Sequence, residues 1–248
     1  MTVRVRREEG IALIVTMLAI FLMAALGATL VVTTSSEVMI AANFRNAVEG
    51  GYAADAALER VLDDVFTVAD WNTILSGSVR SAFVDGAPNG VRKLADSTTV
   101  DLAQVVNQAN CGKSSPCSDA DMDESTSGRP WGTNNPRWQL FAYGSLSHMV
   151  PVGAIDSSFY VTVMIADDPS ENDKRPLQDG LVPCGEAMPS GEPPSCNPGA
   201  GVLSLRAESF GPRGAHKIIE MTVSRTPKAF NHGVEQAGVR VVSWREVR

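Results

Sequence analysis

The run IALIVTMLAIFLMAALGATLVVTTSS, residues 11–36, decides how the rest of the chain is read. It holds 26 residues without a charge, and the part from Ile11 to Val32 is almost purely apolar. At about 1.5 Å of rise per residue, a helix of this length exceeds a bilayer core of about 30 Å. Arg4, Arg6 and Arg7 precede the run, set against Glu8 and Glu9. Positive charge before a first span keeps that end in the cytoplasm. No second run of comparable length follows, so the sequence predicts a single crossing with Glu37 onward outside the cytoplasm. An ordinary cleaved secretory signal is the other reading. Such signals have an apolar region of about 7–15 residues that closes on a small-x-small site. The run here is longer and no such site ends it, and the absence of a nearby cysteine excludes a lipoprotein signal.

The helical pattern continues past Glu37. Ile40, Phe44, Ala47, Ala54, Leu58, Val61, Leu62 and Val65 follow the spacing of one helix face, with Arg45, Asn46, Glu49, Asp55, Glu59 and Asp63 opposite. The spacing predicts one helix from Ile11 to Val68, lipid-facing over 11–36 and amphipathic over 37–70. Gly50–Gly51 is its weak point, since a glycine inside a helix costs about 1 kcal/mol against alanine. The alternative is a helix that stops there, followed by a separate short one.

The whole chain has 248 residues, enough for one or two domains with a proper core. Apolar residues make up 44% and charged residues 20%, which excludes a disordered or collagenous chain. The formal charge is -7 and no Lys/Arg cluster is present, so no nucleic-acid partner is expected. The three histidines, His148, His216 and His232, are scattered, and G-x-S-x-G, H-E-x-x-H and P-loop patterns are all missing. The expectation is a non-enzymatic protein without cofactor or catalytic metal.

Beyond Trp71 the periodicity shortens. Trp138-Gln-Leu-Phe-Ala-Tyr143 and Phe159-Tyr-Val-Thr-Val-Met-Ile165 have the β-branched and aromatic content of strands. Residues 202–208 and 217–224 flank Gly211-Pro-Arg-Gly214, a turn signal, and read as a hairpin. Gly238–Trp244 adds a last strand. These five predict a mostly antiparallel sheet in a head domain over 71–248, with the amphipathic helix half covering one face, an α+β arrangement.

Residues 107–137 and 167–201 read as two long loops by their Asn, Ser, Asp, Gly and Pro content. They hold all four cysteines, Cys111 and Cys117 in the first, Cys184 and Cys196 in the second. An even number outside the cytoplasm favours disulfides. Three connectivities are open; the local one, 111–117 and 184–196, would pin each loop separately. A four-thiolate zinc site is the rival, though neither spacing resembles C-x2-C. Asp119-Ala-Asp-Met-Asp123-Glu begins like a calcium loop, then fails with Glu124 at the sixth position and Pro130 at the twelfth. Asp167-Asp168-Pro-Ser-Glu171-Asn-Asp173 invites the same thought, and a solvated acidic loop is the plainer account of both.

Several of these stretches together resemble a known family. A charged leader ending at Gly10 and meeting Ile11-Ala-Leu-Ile-Val directly resembles a prepilin signal. Thr33-Thr-Ser-Ser-Glu37-Val-Met-Ile-Ala-Ala-Asn43-Phe-Arg45 and Tyr52-Ala-Ala-Asp-Ala-Ala-Leu58-Glu-Arg60 are similar to the N-terminus of PilX-type minor pilins. Leu205-Arg-Ala-Glu-Ser-Phe-Gly211 and Ile219-Glu-Met-Thr-Val-Ser-Arg225 look like that family's closing hairpin. The resemblance implies a pilin-like fold and cleavage of a 1–10 leader between Gly10 and Ile11 by a prepilin peptidase. It also implies an inner-membrane helix, a periplasmic head that can reach the surface in a pilus, and minor and major pilins as partners. Major pilins carry glutamate at the fifth mature position, where this chain has Val15. That glutamate neutralises a neighbour's N-terminal amine in an apolar bundle, where an unpaired charge is costly. Its absence points away from a major subunit and toward one that primes or caps the filament. A minor pseudopilin of a type II secretion or DNA-uptake system is the alternative, and a membrane-anchored periplasmic binding protein is a third class.

Overall fold

The computed structural model describes residues 9–127, 137–149, 156–169, 175–180, 201–231 and 234–247. The chain divides into two compact units between Arg45 and Asn46. Helix α1, Glu9–Thr67, runs 59 residues and belongs to both. Then come α2 (Asn72–Leu75), β1 (Val91–Lys93), β2 (Thr99–Asp101), α3 (Leu102–Cys111) and α4 (Asp119–Thr126). They are followed by β3 (Gln139–Ser145), α5 (Leu146–Met149), β4 (Tyr160–Asp167), β5 (Val202–Phe210), β6 (His216–Asn231) and β7 (Val234–Val247). The protein is α+β, with a long N-terminal helix and a five-stranded antiparallel sheet.

In the first unit every side chain from Ile11 to Ala41 is exposed. Among the described residues α1 is the helix long and apolar enough to cross a membrane. Its hydroxyls do not contradict that. Thr16 donates to the Leu13 carbonyl at 2.8 Å, Thr29 to Ala25 at 2.8 Å and Thr33 to Thr29 at 2.9 Å. Ser35 and Ser36 donate in the same way to Val31 and Val32. Each of these five hydroxyls is answered inside the helix, as a lipid surrounding requires.

In the second unit the strand order is β3-β4-β5-β6-β7, each neighbour antiparallel. One face carries Val161, Val163, Ile165, Leu203, Leu205, Ile219, Met221 and Val223, which share a buried core with Ala53, Ala54, Ala57, Leu58, Val61 and Val65 of α1. The three alanines let the helix backbone come close to the sheet while the larger side chains fill the flanks. On the opposite face Leu94, Val100, Leu102 and Val105 cover Leu140, Tyr143, Tyr160 and Met164 in a second core.

Gly50–Gly51 does not break α1, and the two glycines differ in kind. A Cβ at Gly50 would lie 3.2 Å from both the Phe159 ring and Lys217 Cγ, and the Gly50 carbonyl accepts the Ser209 hydroxyl at 2.7 Å. A Cβ at Gly51 would meet nothing within 4 Å. Gly51→Ala is therefore expected to stabilise the protein by up to about 1 kcal/mol, the helix-propensity difference. Gly50→Ala loses that gain to crowding. Thermal denaturation of the two variants in parallel checks the contrast.

The first predicted loop needs correction. Much of 107–137 is helical: α3 ends at Cys111 and α4 spans 119–126. Asp101 caps α3 by accepting the Ala103 N–H at 2.9 Å, and Gly112, at φ 71°, ends it. Ser118 and Asp121 form a reciprocal capping box that starts α4. The five predicted strands are all present, while β1 and β2, at three residues each, were too short to show a period.

The two edges of the sheet are treated differently. Residues 81–85 run along β3: Tyr143 N–H donates to the Phe83 carbonyl at 3.0 Å, and Asp85 N–H donates to the Tyr143 carbonyl at 2.9 Å. No described residue pairs with the outer edge of β7.

Candidate functional site

Of the residues singled out by sequence, Gly10 and Ile11 lie in the first turn of α1, while Met1–Glu8 fall outside the described residues. Cys111 and Cys117 are joined in a disulfide with their Cα atoms 6.1 Å apart. The bond links the last residue of α3 to the residue before the α4 cap, so it ties two helices and closes a short loop. Cys184 and Cys196 fall outside the described residues. Opening the 111–117 bridge is expected to cost about 2 kcal/mol, as its loop is short. Cys111→Ala/Cys117→Ala should lose amide-exchange protection in α3 and α4 while the sheet keeps its own.

The acidic stretch that resembled the start of a calcium loop is the helix α4, and its carboxylates face cations of the same chain. Lys113 Nζ bonds Asp121, and Arg137 Nη2 sits 3.1 Å from Asp123, with Nη1 3.7 Å from Asp119. The Lys113 ammonium and the Ser118 N–H and hydroxyl hold the Asp121 carboxyl well below the usual carboxylate range. Among the described residues no group of three or more side chains is placed to hold a metal ion. In the second acidic stretch, Asp167 is buried at the end of β4 and accepts the Asp168 N–H, while residues 170–174 lie outside the described set.

Asp179 closes the base of the second excursion. Its carboxylate accepts the Gly201 N–H at 2.7 Å, and its own N–H donates to Asn72 Oδ1 at 2.7 Å. Residues 180 and 201 are thereby held near each other. Burial pushes the Asp179 carboxyl above its ordinary range, and the Gly201 contact only partly offsets this.

The feature that sequence reasoning missed is a chain of charges across the sheet face away from α1. His216 Nε2 lies 2.9 Å from Glu208, Arg206 Nε lies 2.8 Å from Glu208, and Arg206 Nη1 lies 2.8 Å from Glu220. Arg245 reaches Glu220 from β7. Burial alone would push the Glu208 carboxyl up, but His216 and Arg206 outweigh it and hold it below its ordinary value. Arg206, Glu220 and Arg245 border an open groove of about 570 Å³ between α3 and β7, with Asn110, Trp138, Thr222 and Ser243 on its walls, while Glu208 and His216 line a separate hollow beside Val105 and Phe210. His216 and Glu220 do lie on one face, as their spacing implied, but they serve different ion pairs. The turn signal locates the hairpin but not its register: centring the strands on Gly211–Gly214 sets Arg206 opposite Ile219, and the observed register, one residue on, sets it opposite Glu220. Arg206 joins Glu208 on its own strand to Glu220 on β6, and Arg245 adds β7, so the network ties three neighbouring strands together.

Two of the three tryptophans among the described residues are buried. Trp71 is buried, donates to the Val65 carbonyl at 3.3 Å and lies under the Arg225 guanidinium. Trp138 is buried in the second core, whereas Trp244 on β7 is 51% exposed. Comparison with protein families, curated proteins and solved structures returns no match for this chain. The protein is α+β, with an apolar N-terminal helix long enough to span a membrane and a disulfide-bearing sheet unit.

Proposed function

We propose that the chain is a structural minor pilin that helps initiate, prime or cap a type IV pilus and carries out no catalysis. One observation carries the reading: a single uninterrupted helix is lipid-compatible in its first part and, from Asn46, lends an alanine-lined face to an antiparallel sheet. A plain anchor has no need of that amphipathic continuation. In this reading residues 11–36 rest in the inner membrane with the N-terminus cytoplasmic, then move into the apolar core of a filament. The sheet unit lies on the periplasmic side and meets minor and major pilins. Val15 in place of a carboxylate suits a subunit with no neighbour's amine to neutralise.

Prepilin peptidase is expected to cut after Gly10, so N-terminal sequencing of the membrane-extracted protein should begin at Ile11. A start at Met1, or one beyond Ala28, contradicts the reading. Deleting the gene should sharply reduce surface pili and twitching, and Val15→Glu should alter how efficiently the subunit enters filaments. Loss of secretion or DNA uptake with normal piliation would move the assignment to a pseudopilin. A deletion normal in all four respects would remove the assembly role.

A further inference from the structure

The outer edge of β7 is unpaired among the described residues. Arg240 to Glu246 are all exposed, on both faces of the strand. The segment Val239-Arg-Val-Val-Ser-Trp-Arg-Glu-Val247 contains neither proline nor lysine, two of the residues that blunt an edge, and its charges are Arg240, Arg245 and Glu246. The opposite edge, at β3, is covered by residues 81–85, so the fold protects one side and leaves the other open among the described residues.

The two faces of β7 differ in chemistry. Trp244 pairs with Met221, Val241 with Val223 and Glu246 with Ile219, so all three lie on the helix side, where Trp244 Nε1 donates to Asp55 at 2.9 Å and Glu246 is held by Lys217. Arg245 pairs with Glu220, Ser243 with Thr222 and Arg240 with Ser224, which places them on the other side. Val242, the extra residue of a bulge, separates the two sets. Arg245 is 73% exposed and spends only Nε and Nη2 on Glu220. Arg240 makes no ion pair among the described residues.

We propose that β7 receives an extended segment of another protein as an added strand, apolar on the face it shares with Trp244 and Val241 and acidic on the face it shares with Arg240 and Arg245. Backbone pairing supplies the attachment and the alternation supplies the selectivity. This goes beyond the filament reading and does not depend on it.

The test uses the full chain in detergent micelles and two labelled synthetic peptides, one alternating valine with glutamate and the other valine with lysine. Fluorescence anisotropy should show saturable binding of the glutamate peptide, roughly tenfold tighter than the lysine peptide, a difference set by two opposed charge positions. Amide exchange should slow along Val239–Val247 when it binds. Arg240→Glu, at an exposed position, should narrow or reverse the preference with the circular dichroism unchanged, and Trp244→Ala should weaken both peptides. Equal binding of the two peptides, protection away from β7, or no binding of either overturns the proposal. A concentration-dependent doubling of mass through β7 without peptide also overturns it, because the occupant is then a second copy.

Discussion

Gly211→Ala is expected to destabilise the sheet unit by about 3 kcal/mol, at the upper end for overpacking. A Cβ built on Gly211 would stand 2.1 Å from the Phe159 ring, with two further ring carbons inside 2.7 Å. The ring cannot swing away cheaply. Phe159 is buried in the core against α1, and the same ring limits the space at Gly50. The Gly211 backbone is extended, at φ -131°, so the constraint is contact and not conformation. Phe159→Leu should recover part of the loss when combined with Gly211→Ala, although alone it costs stability. A double-mutant cycle by chemical denaturation measures that coupling. Additive losses would mean the two sites do not share the space.

Glu208→Ala is expected to cost a similar amount, about 3 kcal/mol, because it leaves Arg206 and His216 without their shared carboxylate in a mostly buried place. It should also change the acid limb of the stability curve. Folding lowers the Glu208 pKa below its ordinary 4.5, so below that value the unfolded chain takes up the proton more readily than the folded one. The stability this group contributes is complete above about pH 4.5 and is lost as pH falls through the folded value. Asp179 works in the opposite sense. Its raised pKa means the folded chain holds the proton more readily, so its contribution improves as pH falls toward the ordinary carboxylate value. Denaturation midpoints between pH 3 and 7 should therefore show a shallower acid decline in Glu208→Ala than in the parent. A curve of unchanged shape would refute the linkage.

The elements legible in the sequence were those with a strong period or strong punctuation. Helix α1 announced itself through composition and then through the spacing of Ala54, Leu58, Val61 and Val65, all of which are buried, whereas Ile40 and Phe44, read on the same face, are exposed. The β5–β6 hairpin was fixed by Gly211-Pro-Arg-Gly214, where Arg213 and Gly214 both take positive φ. What stayed hidden was local and short. Strands β1 and β2 lack the length to alternate, and α4, with its run of Asp, Ser and Thr, has a loop's composition and owes its start to the Ser118–Asp121 cap. The sequence left three cysteine connectivities open, and the structure makes the local bond between Cys111 and Cys117, whereas the exchange of charge among Glu208, Arg206 and Glu220 requires the strand register before it can be seen. Gly50 and Gly51 look alike in sequence and differ only in what stands opposite them.

The hydroxyls along α1 have one more consequence. Thr16, Thr29, Thr33, Ser35 and Ser36 each return their hydrogen to a carbonyl of the same helix. Such a segment carries its own solvation with it. Exchanging lipid neighbours for protein neighbours leaves none of these five donors to be matched anew, so these positions impose no rotational preference on the helix.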